Sequence, residues 1–296
     1  MAAGRAAQVD SVDGFRGPYG LALRGNELLV ADQNGIWRVP ASTSRPELIT
    51  GSGVFGMVQG HNNRPLAIDP QGGRLFVGVG SMGNIAVEPE PKATIQRFDA
   101  NGSNQLTFAA GTRNPTALAF HPQTGDLWAG VQERDGLGDD LPSDYLIRVQ
   151  RDGFYGWPYA YLGKHPQPGF AHMAPGKVAA TIVPDLLFQA HSSLLDLVFY
   201  DAAQFPAEFG KGAFAALKGS WNRAKPTGYK VVWVPFKNNR PEGFYRNFAV
   251  GFWASGVDRA EVWGRPAALA VDNNGSLLIA DDTGGTIWRI SYTGAR

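Results

Sequence analysis

A repeated pattern of short apolar strands constrains the fold of this chain more than any single motif. Each unit has a small turn, an apolar strand, a Gly/Asp/Asn turn and a second strand, as in NPTALAFHPQTGDLWAGV. Five units align on a leucine of their first strand: Leu21, Leu66, Leu118, Leu197 and Leu269. Several units close with a third strand that carries Ile-x-Arg or a near equivalent, such as Ile287-Trp288-Arg289. Repeats of about 40–50 residues made of short strands indicate the blades of a β-propeller.

The repeats predict an all-β chain that forms one propeller domain over residues 1–296, with five blades of four antiparallel strands. The composition agrees, because 38 Gly and 20 Pro together with 44% hydrophobic residues describe a turn-dense folded protein. No long stretch has helical periodicity, and the best candidate, residues 202–209, is short. The segment AAQVDSV, at residues 6–12, is a candidate for the outermost strand of the last blade, which would close the ring.

The blade pattern also predicts where the axis and the site lie. The first strand of each blade is expected to line the central axis, where small residues suit the crowded space: Ala22, Ala67, Ala119 and Ala270. The two long intervals between repeats predict insertions at about residues 131–190 and 220–262. Insertions of this kind project from one face of the scaffold and build the functional site there.

Charge and composition exclude several classes of function. The formal net charge of +1 and the lack of a Lys/Arg run give no electrostatic basis for binding nucleic acid. The absence of cysteine excludes disulfides, thiolate metal sites and cysteine nucleophiles. No apolar run reaches the length of a membrane span. The N-terminal MAAGRAAQVD lacks the apolar core of a secretory signal.

An acidic loop is the strongest candidate for a functional site. The segment QERDGLGDDLPSDY connects the apolar strands DLWAGV and YLIRVQ, and the tight aromatic turn GFYGWP follows them. Carboxylates and glycine-exposed backbone oxygens suit a hard cation such as calcium. The spacing is not that of an EF-hand. A solvated acidic loop without a metal explains the composition equally well.

Four longer motifs resemble a known family. QERDGLGDDLPSDYL, GFYGWPYAY, ALKGSWNRAKPTGYKVVWVPF and VWGRPAALAVDNNGSLLIADDTGGTIWRISY occur in the order found in the sorbosone dehydrogenase branch of the soluble glucose dehydrogenases. The resemblance covers most of the chain from about His61 onward. It implies a quinoprotein that oxidises a sugar with pyrroloquinoline quinone and calcium, passes electrons to an external acceptor, and is periplasmic or secreted. The family fold is a six-bladed propeller, whereas this chain shows five repeats and lacks one N-terminal repeat.

The resemblance implies roles for three residues near the substrate. His61, in QGHNNRPLAI, matches the catalytic base that takes the proton of the substrate hydroxyl, a role suited to an imidazole whose ordinary pKa is near neutrality. Arg113 and Asn114, in GTRNPTALAF, match contacts to the quinone oxygens, where a guanidinium and an amide stabilise growing negative charge. The alternative for His61 is a hydrogen-bonded structural histidine. The alternative for Arg113 and Asn114 is a turn, in which Asn114 favours the bend before the following proline.

The resemblance also implies residues that bind the carboxylates of the cofactor. Lys218 and Arg265 resemble cationic contacts to the three carboxylates of the quinone. Histidine often stands at the Lys218 position in the sorbosone branch, and Ala267 replaces a second arginine that is often present.

The implied calcium ligands all belong to the acidic loop and the aromatic turn. They are backbone carbonyls at Arg134 and Asp135 for the cofactor-bound ion, and the side chains of Asp139 and Asp140 with a carbonyl near Tyr155 for a second ion. Asn84 matches a polar position near the site. Two tryptophans, Trp157 and Trp221, are interpreted as packing residues rather than substrate platforms.

Three functions therefore compete. The first is a quinoprotein sugar dehydrogenase, favoured by the joint presence of His61, Arg113, Lys218 and Arg265. The second is a propeller that has lost catalysis and serves as a binding scaffold, favoured by the missing repeat. The third is a calcium-dependent lactonase-like hydrolase, favoured only by the generic blade pattern. Because a fold does not fix a function, the geometry of the site has to decide between them.

Overall fold

The computed structural model describes residues 11–43 and 45–294. Two blades open the chain. The first blade contains β1 (Gly20–Arg24), β2 (Glu27–Ala31), β3 (Ile36–Pro40) and β4 (Glu47–Leu48). The second contains β5 (Leu66–Ile68), β6 (Leu75–Val79), β7 (Thr94–Phe98) and β8 (Leu106–Ala110). Every pairing within these two blades is antiparallel, as expected for strands joined by short turns.

The third blade receives its fourth strand from far along the chain. It contains β9 (Asn114–Phe120), β10 (Leu127–Gln132) and β11 (Tyr145–Arg148), and after a long excursion β15 (Leu186–Leu187). That excursion holds β12 (Gly153–Phe154), β13 (Ala160–Tyr161), β14 (His165–Pro166) and the short helix α1 (Pro175–Ala180). Because β12 pairs in parallel with β8 of the second blade, the excursion links the two blades.

The fourth and fifth blades complete the described chain. The fourth contains β16 (Leu194–Tyr200), β17 (Gly212–Leu217) and β18 (Lys230–Lys237), with β19 (Arg240–Pro241) and β20 (Arg246–Ala249) both paired to β18. A hairpin follows, formed by β21 (Trp253–Ser255) and β22 (Glu261–Val262). The fifth blade contains β23 (Pro266–Val271), β24 (Leu277–Asp281) and β25 (Thr286–Ile290). The prediction of an all-β, five-bladed propeller is confirmed.

Helix is scarce in the described residues. Besides α1 there are two 3-10 turns, at Ala171–Met173 and Ala207–Phe209. The short helical candidate at residues 202–209 forms only the second of these turns. The short helix α1 was not predicted, because six residues are too few for a periodic apolar pattern. No helix in the described ranges is long and apolar enough to cross a membrane.

Packing between blades explains why the middle strands read as continuous apolar runs. Every residue of β6 and of β17 is buried, because a neighbouring blade covers each face of the sheet. An aromatic group seals the third blade against the fourth, where the Trp128 and Phe236 rings meet edge to face at 5.1 Å. Burial of such rings supplies much of the apolar stabilisation at this junction.

The two end blades are packed on one side only. In the first blade, Leu21 and Leu23 are 63% and 77% exposed, while Ala22 between them packs toward the second blade. In the last blade, Ile287 is 68% exposed, while Leu269 packs toward the fourth blade. The last blade has three strands among the residues described here. Most of the segment predicted to add its fourth strand, residues 6–10, lies outside that range.

A central cavity of about 830 Å³ is lined mainly by the first strands of the five blades. Ala119 and Ala270 line it as predicted, whereas Ala22 and Ala67 pack between blades instead. The two predicted insertions also contain blade strands. Residues 131–190 include the blade strands β11 and β15, and residues 220–262 include β18 to β20. The additions to the propeller are the remaining segments, which hold β12 to β14, α1 and the hairpin of β21 and β22.

Candidate active site

One edge of the propeller gathers the polar side chains. In an antiparallel blade the start of the first strand and the end of the second strand lie at the same edge, so residues from both meet there. A pocket of about 230 Å³ lies at this edge. Its lining combines both kinds of position: His61, Arg113, Gln132, Glu133, Asp135, Asp144, His191, Ser193, Trp221 and Asn222.

His61 precedes β5 and is held as a neutral imidazole. Its Nδ1 lies 3.0 Å from the carbonyl oxygen and 3.0 Å from the hydroxyl of Ser81. The carbonyl can only accept, and the hydroxyl donates to Gly83 O at 2.7 Å, so Nδ1 carries the proton. Burial, followed by the charge of Arg113, lowers the pKa of His61 to about 4. The Nε2 lone pair therefore stays free as a base at neutral pH.

Arg113 is a buried hub at the start of the neighbouring blade. Its guanidinium donates to Glu133 O at 2.6 Å, to Asn84 O at 3.1 Å and to Asn84 Oδ1 at 3.1 Å. Its Nη2 lies 3.8 Å from a carboxylate oxygen of Asp135. Burial lowers the pKa of Arg113, but its neighbouring acids favour the charged form. Arg113 thus brings a fixed positive charge to the pocket.

Asn84 has a larger structural role than its sequence context indicates. Its side chain accepts from Asp135 N at 2.8 Å and donates to Asp135 O at 2.9 Å, while its backbone carbonyl accepts from Trp157 Nε1 at 3.1 Å. These bonds tie the loop after β6 to the acidic loop and the aromatic turn. Trp157 is buried, which confirms that it is a packing residue.

Asn114 lies next to His61 behind the pocket. Its amide donates to Gln132 Oε1 at 3.0 Å, and its own Oδ1 is buried without a hydrogen-bond partner among the described residues. A Cβ at Gly80 would lie 2.5 Å from His61 Cβ and 2.6 Å from Asn114 Oδ1. Glycine at position 80 is therefore what allows the imidazole and the amide to approach each other.

Two buried carboxyl groups support the back of the pocket. Asp144 accepts from Glu133 N and from Leu194 N, each at 3.1 Å, and so joins the third blade to the fourth. Burial raises the pKa of Asp144 to about 6 and that of Glu133 to about 7. Glu133 Oε1 has no hydrogen-bond partner within the described part of the chain.

The second histidine of the pocket, His191, has both ring nitrogens engaged. Its Nε2 donates to Gly138 O at 2.9 Å, and its Nδ1 lies 3.2 Å from the Asn222 amide and 3.6 Å from Asp135 Oδ1. Asn222 also donates to Asp135. The hydrogen bond with Asp135 raises the pKa of His191. His191 therefore fastens the acidic loop to the fourth blade.

Lys218 and Arg265 lie beside the pocket rather than in its lining. The Lys218 side chain forms an ion pair with Asp282 and lines the central cavity. The backbone N–H of Lys218 donates to Ser193 O at 2.9 Å. The Arg265 guanidinium lies 5.5 Å over the ring of Tyr229. Asp282 N donates to Arg265 O at 3.2 Å, which brings the two cationic residues into one neighbourhood. They form a basic area on the fourth and fifth blades.

The predicted calcium ligands are engaged with protein groups in this arrangement. The Asp135 carbonyl accepts from Arg134 Nε at 2.8 Å as well as from Asn84. Arg223 donates to Asp139 O at 3.0 Å and forms an ion pair with Asp140. No cluster of three or more His, Asp or Glu suited to a metal is found in the described residues. This donor set does not offer a preformed calcium site, and the calcium site stays a prediction.

Tyr155, the last predicted ligand, is buried in the core between the second and third blades. Its hydroxyl donates to Arg148 O at 2.8 Å and accepts from Gln150 N at 2.8 Å. These contacts fix the aromatic turn against the strand β11. The predicted calcium ligand is a backbone carbonyl near Tyr155, and this role stays a prediction.

Sequence reasoning missed a recognisable group of pocket residues. Glu133 and Asp144 were treated only as part of an acidic loop, and His191, Ser193 and Asn222 were not considered. A signal existed for His191, because it shortly precedes the first strand of its blade, as His61 and Arg113 do in theirs. The interpretation of Trp221 as a packing residue is wrong, because its side chain is 79% exposed.

Comparison with known proteins agrees with this architecture. The glucose / sorbosone dehydrogenase family model matches residues 55–223, which is more than half of the chain. A second model, described as TrAA12-like, matches residues 177–293. The fold is similar to the holo form of the pyranose dehydrogenase PQQ domain from Coprinopsis cinerea, with a TM-score of 0.72 at 20% identity over 92% of this chain and 81% of that one. The chain belongs to the glucose / sorbosone dehydrogenase family.

Relatives identified by sequence are longer proteins that this chain covers in part. An uncharacterized protein of Borreliella burgdorferi is 30% identical over 237 residues, which is 79% of this chain and 61% of that protein. A pyrroloquinoline quinone-dependent pyranose dehydrogenase of Coprinopsis cinerea is 28% identical over 66% of this chain and 32% of its own length. The chain thus spans about three fifths of the first relative and a third of the second.

A second solved structure shares the fold. It is the PQQ-bound aldose sugar dehydrogenase of Streptomyces coelicolor, with a TM-score of 0.58 and 19% identity over 95% of this chain and 94% of that one.

Proposed function

We propose that this protein is a quinoprotein oxidoreductase that oxidises a sugar or sugar aldehyde with pyrroloquinoline quinone. One observation carries the proposal. A neutral histidine with a free Nε2 faces the same pocket as a buried, permanently charged arginine. Oxidation of a hydroxyl needs a base for its proton and a positive charge where the hydride arrives, and His61 and Arg113 are suited to those two tasks.

The residues present fit the quinone better than they fit calcium. Lys218 and Arg265 would hold its carboxylates, because they are the cationic side chains next to the pocket. Asn114 and Arg113 would face its quinone oxygens from the third blade. When bound, the quinone would accept the hydride, which carries both electrons, from the substrate carbon.

The residues of the pocket then act on the proton and the charge. Nδ1–H of His61 stays bonded to Ser81, so the ring cannot rotate away and Nε2 receives the hydroxyl proton. Arg113 is fixed by Asn84 and Glu133, so its charge is in place before the reaction and needs no reorganisation. The external electron acceptor and a periplasmic or secreted location rest on the family resemblance and belong to this proposal.

A catalytically inactive scaffold is the second candidate, and a specific observation favours it. Lys218 is already neutralised by Asp282, and Arg113 donates to acceptors of its own chain. A site that has lost its cofactor would keep these internal bonds. The two candidates differ in whether the quinone displaces Asp282 from Lys218.

An absorbance titration of the purified protein with pyrroloquinoline quinone, with and without calcium, separates the two candidates. Saturation at one equivalent, together with dye-linked oxidation of aldoses or sugar aldehydes, supports the dehydrogenase. Absence of any quinone-dependent spectral change and rate, in a protein that melts cooperatively, supports the scaffold.

A further inference from the structure

The most exposed large apolar side chain of the described residues lies at the candidate active site. Trp221 is 79% exposed and lines the pocket with His61, Arg113 and His191. Exposing an indole to water gives up the free energy that its burial would supply. The ring has no packing function that explains its position. A planar apolar surface at the mouth of a polar pocket is therefore free to contact a ligand.

The backbone that carries Trp221 is fixed on both sides. The preceding residue, Ser220, is buried; its N–H donates to Thr227 O at 2.9 Å, and its hydroxyl accepts from Thr227 N at 3.0 Å. The following residue, Asn222, donates to Asp135 and lies 3.2 Å from His191 Nδ1. An exposed indole on a fixed backbone loses little conformational freedom when a ligand stacks on it.

The charges of the pocket indicate the kind of ring that stacks there. Three acids line it, Glu133, Asp135 and Asp144, against Arg113 and the two histidines. In the proposed function the positive charge of Arg113 serves the quinone, so an anionic substrate would meet mainly the three acids of the lining. The remaining polar lining is made of amide and hydroxyl groups: Gln132, Ser193 and Asn222. Such a lining suits a neutral polyol rather than a carboxylate.

We infer that Trp221 is the platform on which the pyranose ring of the substrate stacks, with a ring hydroxyl reaching toward His61. This inference rests on the proposed function and adds a residue that contacts the sugar. A pyranose has one flat face of C–H groups that pairs with an indole and an edge of hydroxyls that pairs with amides and carboxylates. Trp221 is thus a specificity-determining residue, and it has no part in proton transfer.

Sugar binding by protein without added quinone tests the platform independently of turnover. Saturation-transfer NMR with D-glucose should show contact to ring C–H protons in the wild type. In Trp221→Ala the dissociation constant should rise about tenfold, the effect of one stacked aromatic contact, while Trp221→Phe should stay within about threefold. Phe244→Ala removes an aromatic ring that is 41% exposed but lies outside the pocket, and should bind D-glucose like the wild type.

Two further probes test the class of ligand. D-glucuronate should bind more weakly than D-glucose because of the acidic lining, and mannitol, an open chain without a flat face, should show no dependence on position 221. In dye-linked assays with quinone, Trp221→Ala should raise KM about tenfold and change kcat less than about threefold.

The outcomes separate the platform from the proposed function. If D-glucose binds the wild type and Trp221→Ala equally well, the platform is wrong even when the enzyme is active. Loss of quinone binding with unchanged KM in Trp221→Ala also overturns it, because the ring would then cover the cofactor. A wild type that binds D-glucose through Trp221 without any quinone-dependent rate supports the platform and overturns the dehydrogenase.

Discussion

The pocket contains two histidines whose surroundings give them opposite properties. His61, before the second blade, donates to the Ser81 carbonyl, lies near Arg113 and has a lowered pKa. His191, before the fourth blade, lies between Gly138 O, Asn222 and Asp135 and has a raised pKa. Two histidines that each shortly precede the first strand of a blade thus differ: one is a neutral base with a free nitrogen, and the other is a fully hydrogen-bonded structural residue.

The comparison shows what the repeat does and does not determine. The blade pattern brings the start of each first strand to the same edge of the molecule, so polar residues there converge. The charge of each imidazole is decided by its neighbours, which come from other blades and from the acidic loop. The following predictions test this difference, beginning with the largest effect.

The strongest test replaces each histidine separately. His61→Ala should lower turnover by roughly 10²–10⁴-fold and leave quinone binding nearly intact, because the base is lost while Lys218, Arg265 and Arg113 remain. His191→Ala should lower turnover far less, since His191 has no free nitrogen for the substrate proton. Dye-linked kinetics and quinone titrations measure both variants. Equal losses in the two would remove the functional distinction between the histidines.

Arg113→Ala should affect both stability and function. It leaves the acceptors of Asn84 and Glu133 buried without their donor, so the free energy of unfolding should fall by about 3 kcal/mol. Quinone affinity and turnover should fall together. Arg113→Lys is the matched control and should recover little, because one ammonium group cannot reproduce the three separately directed hydrogen bonds. Denaturant unfolding that shows no loss for Arg113→Ala would contradict the role of Arg113 as a hub.

Activity should persist to unusually low pH. A base acts only while unprotonated, and burial and Arg113 lower the pKa of His61 to about 4. Turnover should therefore stay flat from neutral pH downward and fall about tenfold per pH unit below about 4. A fall centred near 6.5, the ordinary imidazole pKa, would show that Arg113 and burial do not act on His61 as described. Melting curves at each pH separate this effect from acid unfolding.

Sequence and structure agree where local pattern decides the outcome and differ where distant contacts decide it. The blades, His61, Arg113 and Asn114 follow from strands, turns and motifs that can be read along the chain. The lowered pKa of His61 replaces an expected value near neutrality, because the proximity of Arg113 arises only on folding. Glu133 and Asp144 were missed for the same reason, since their burial depends on the packing of the fourth blade against the third. Trp221 differs because tryptophan is highly buried on average, whereas the position of this ring is set by the folded loop after β17.

The acidic loop allows the last and smallest test, because His191 and Arg223 hold it at adjacent residues, Gly138 and Asp139. Arg223 donates to Asp139 O and pairs with Asp140, so calcium has to displace a guanidinium to use those carboxylates. Calcium should therefore raise the melting temperature only slightly, equivalent to about 1 kcal/mol or less. Arg223→Ala should lower the stability without calcium and enlarge the calcium-induced shift.

Asp139→Asn combined with Asp140→Asn is the matched control for the calcium effect and should abolish the shift in either background. Differential scanning calorimetry with calcium and with chelator measures all of these proteins. If the melting curve of Arg223→Ala is the same with calcium as with chelator, Asp139 and Asp140 are not calcium ligands, even when the Arg223 guanidinium no longer contacts them. The cation that holds Asp139 and Asp140 is then the guanidinium itself, next to the contact of His191 with Gly138.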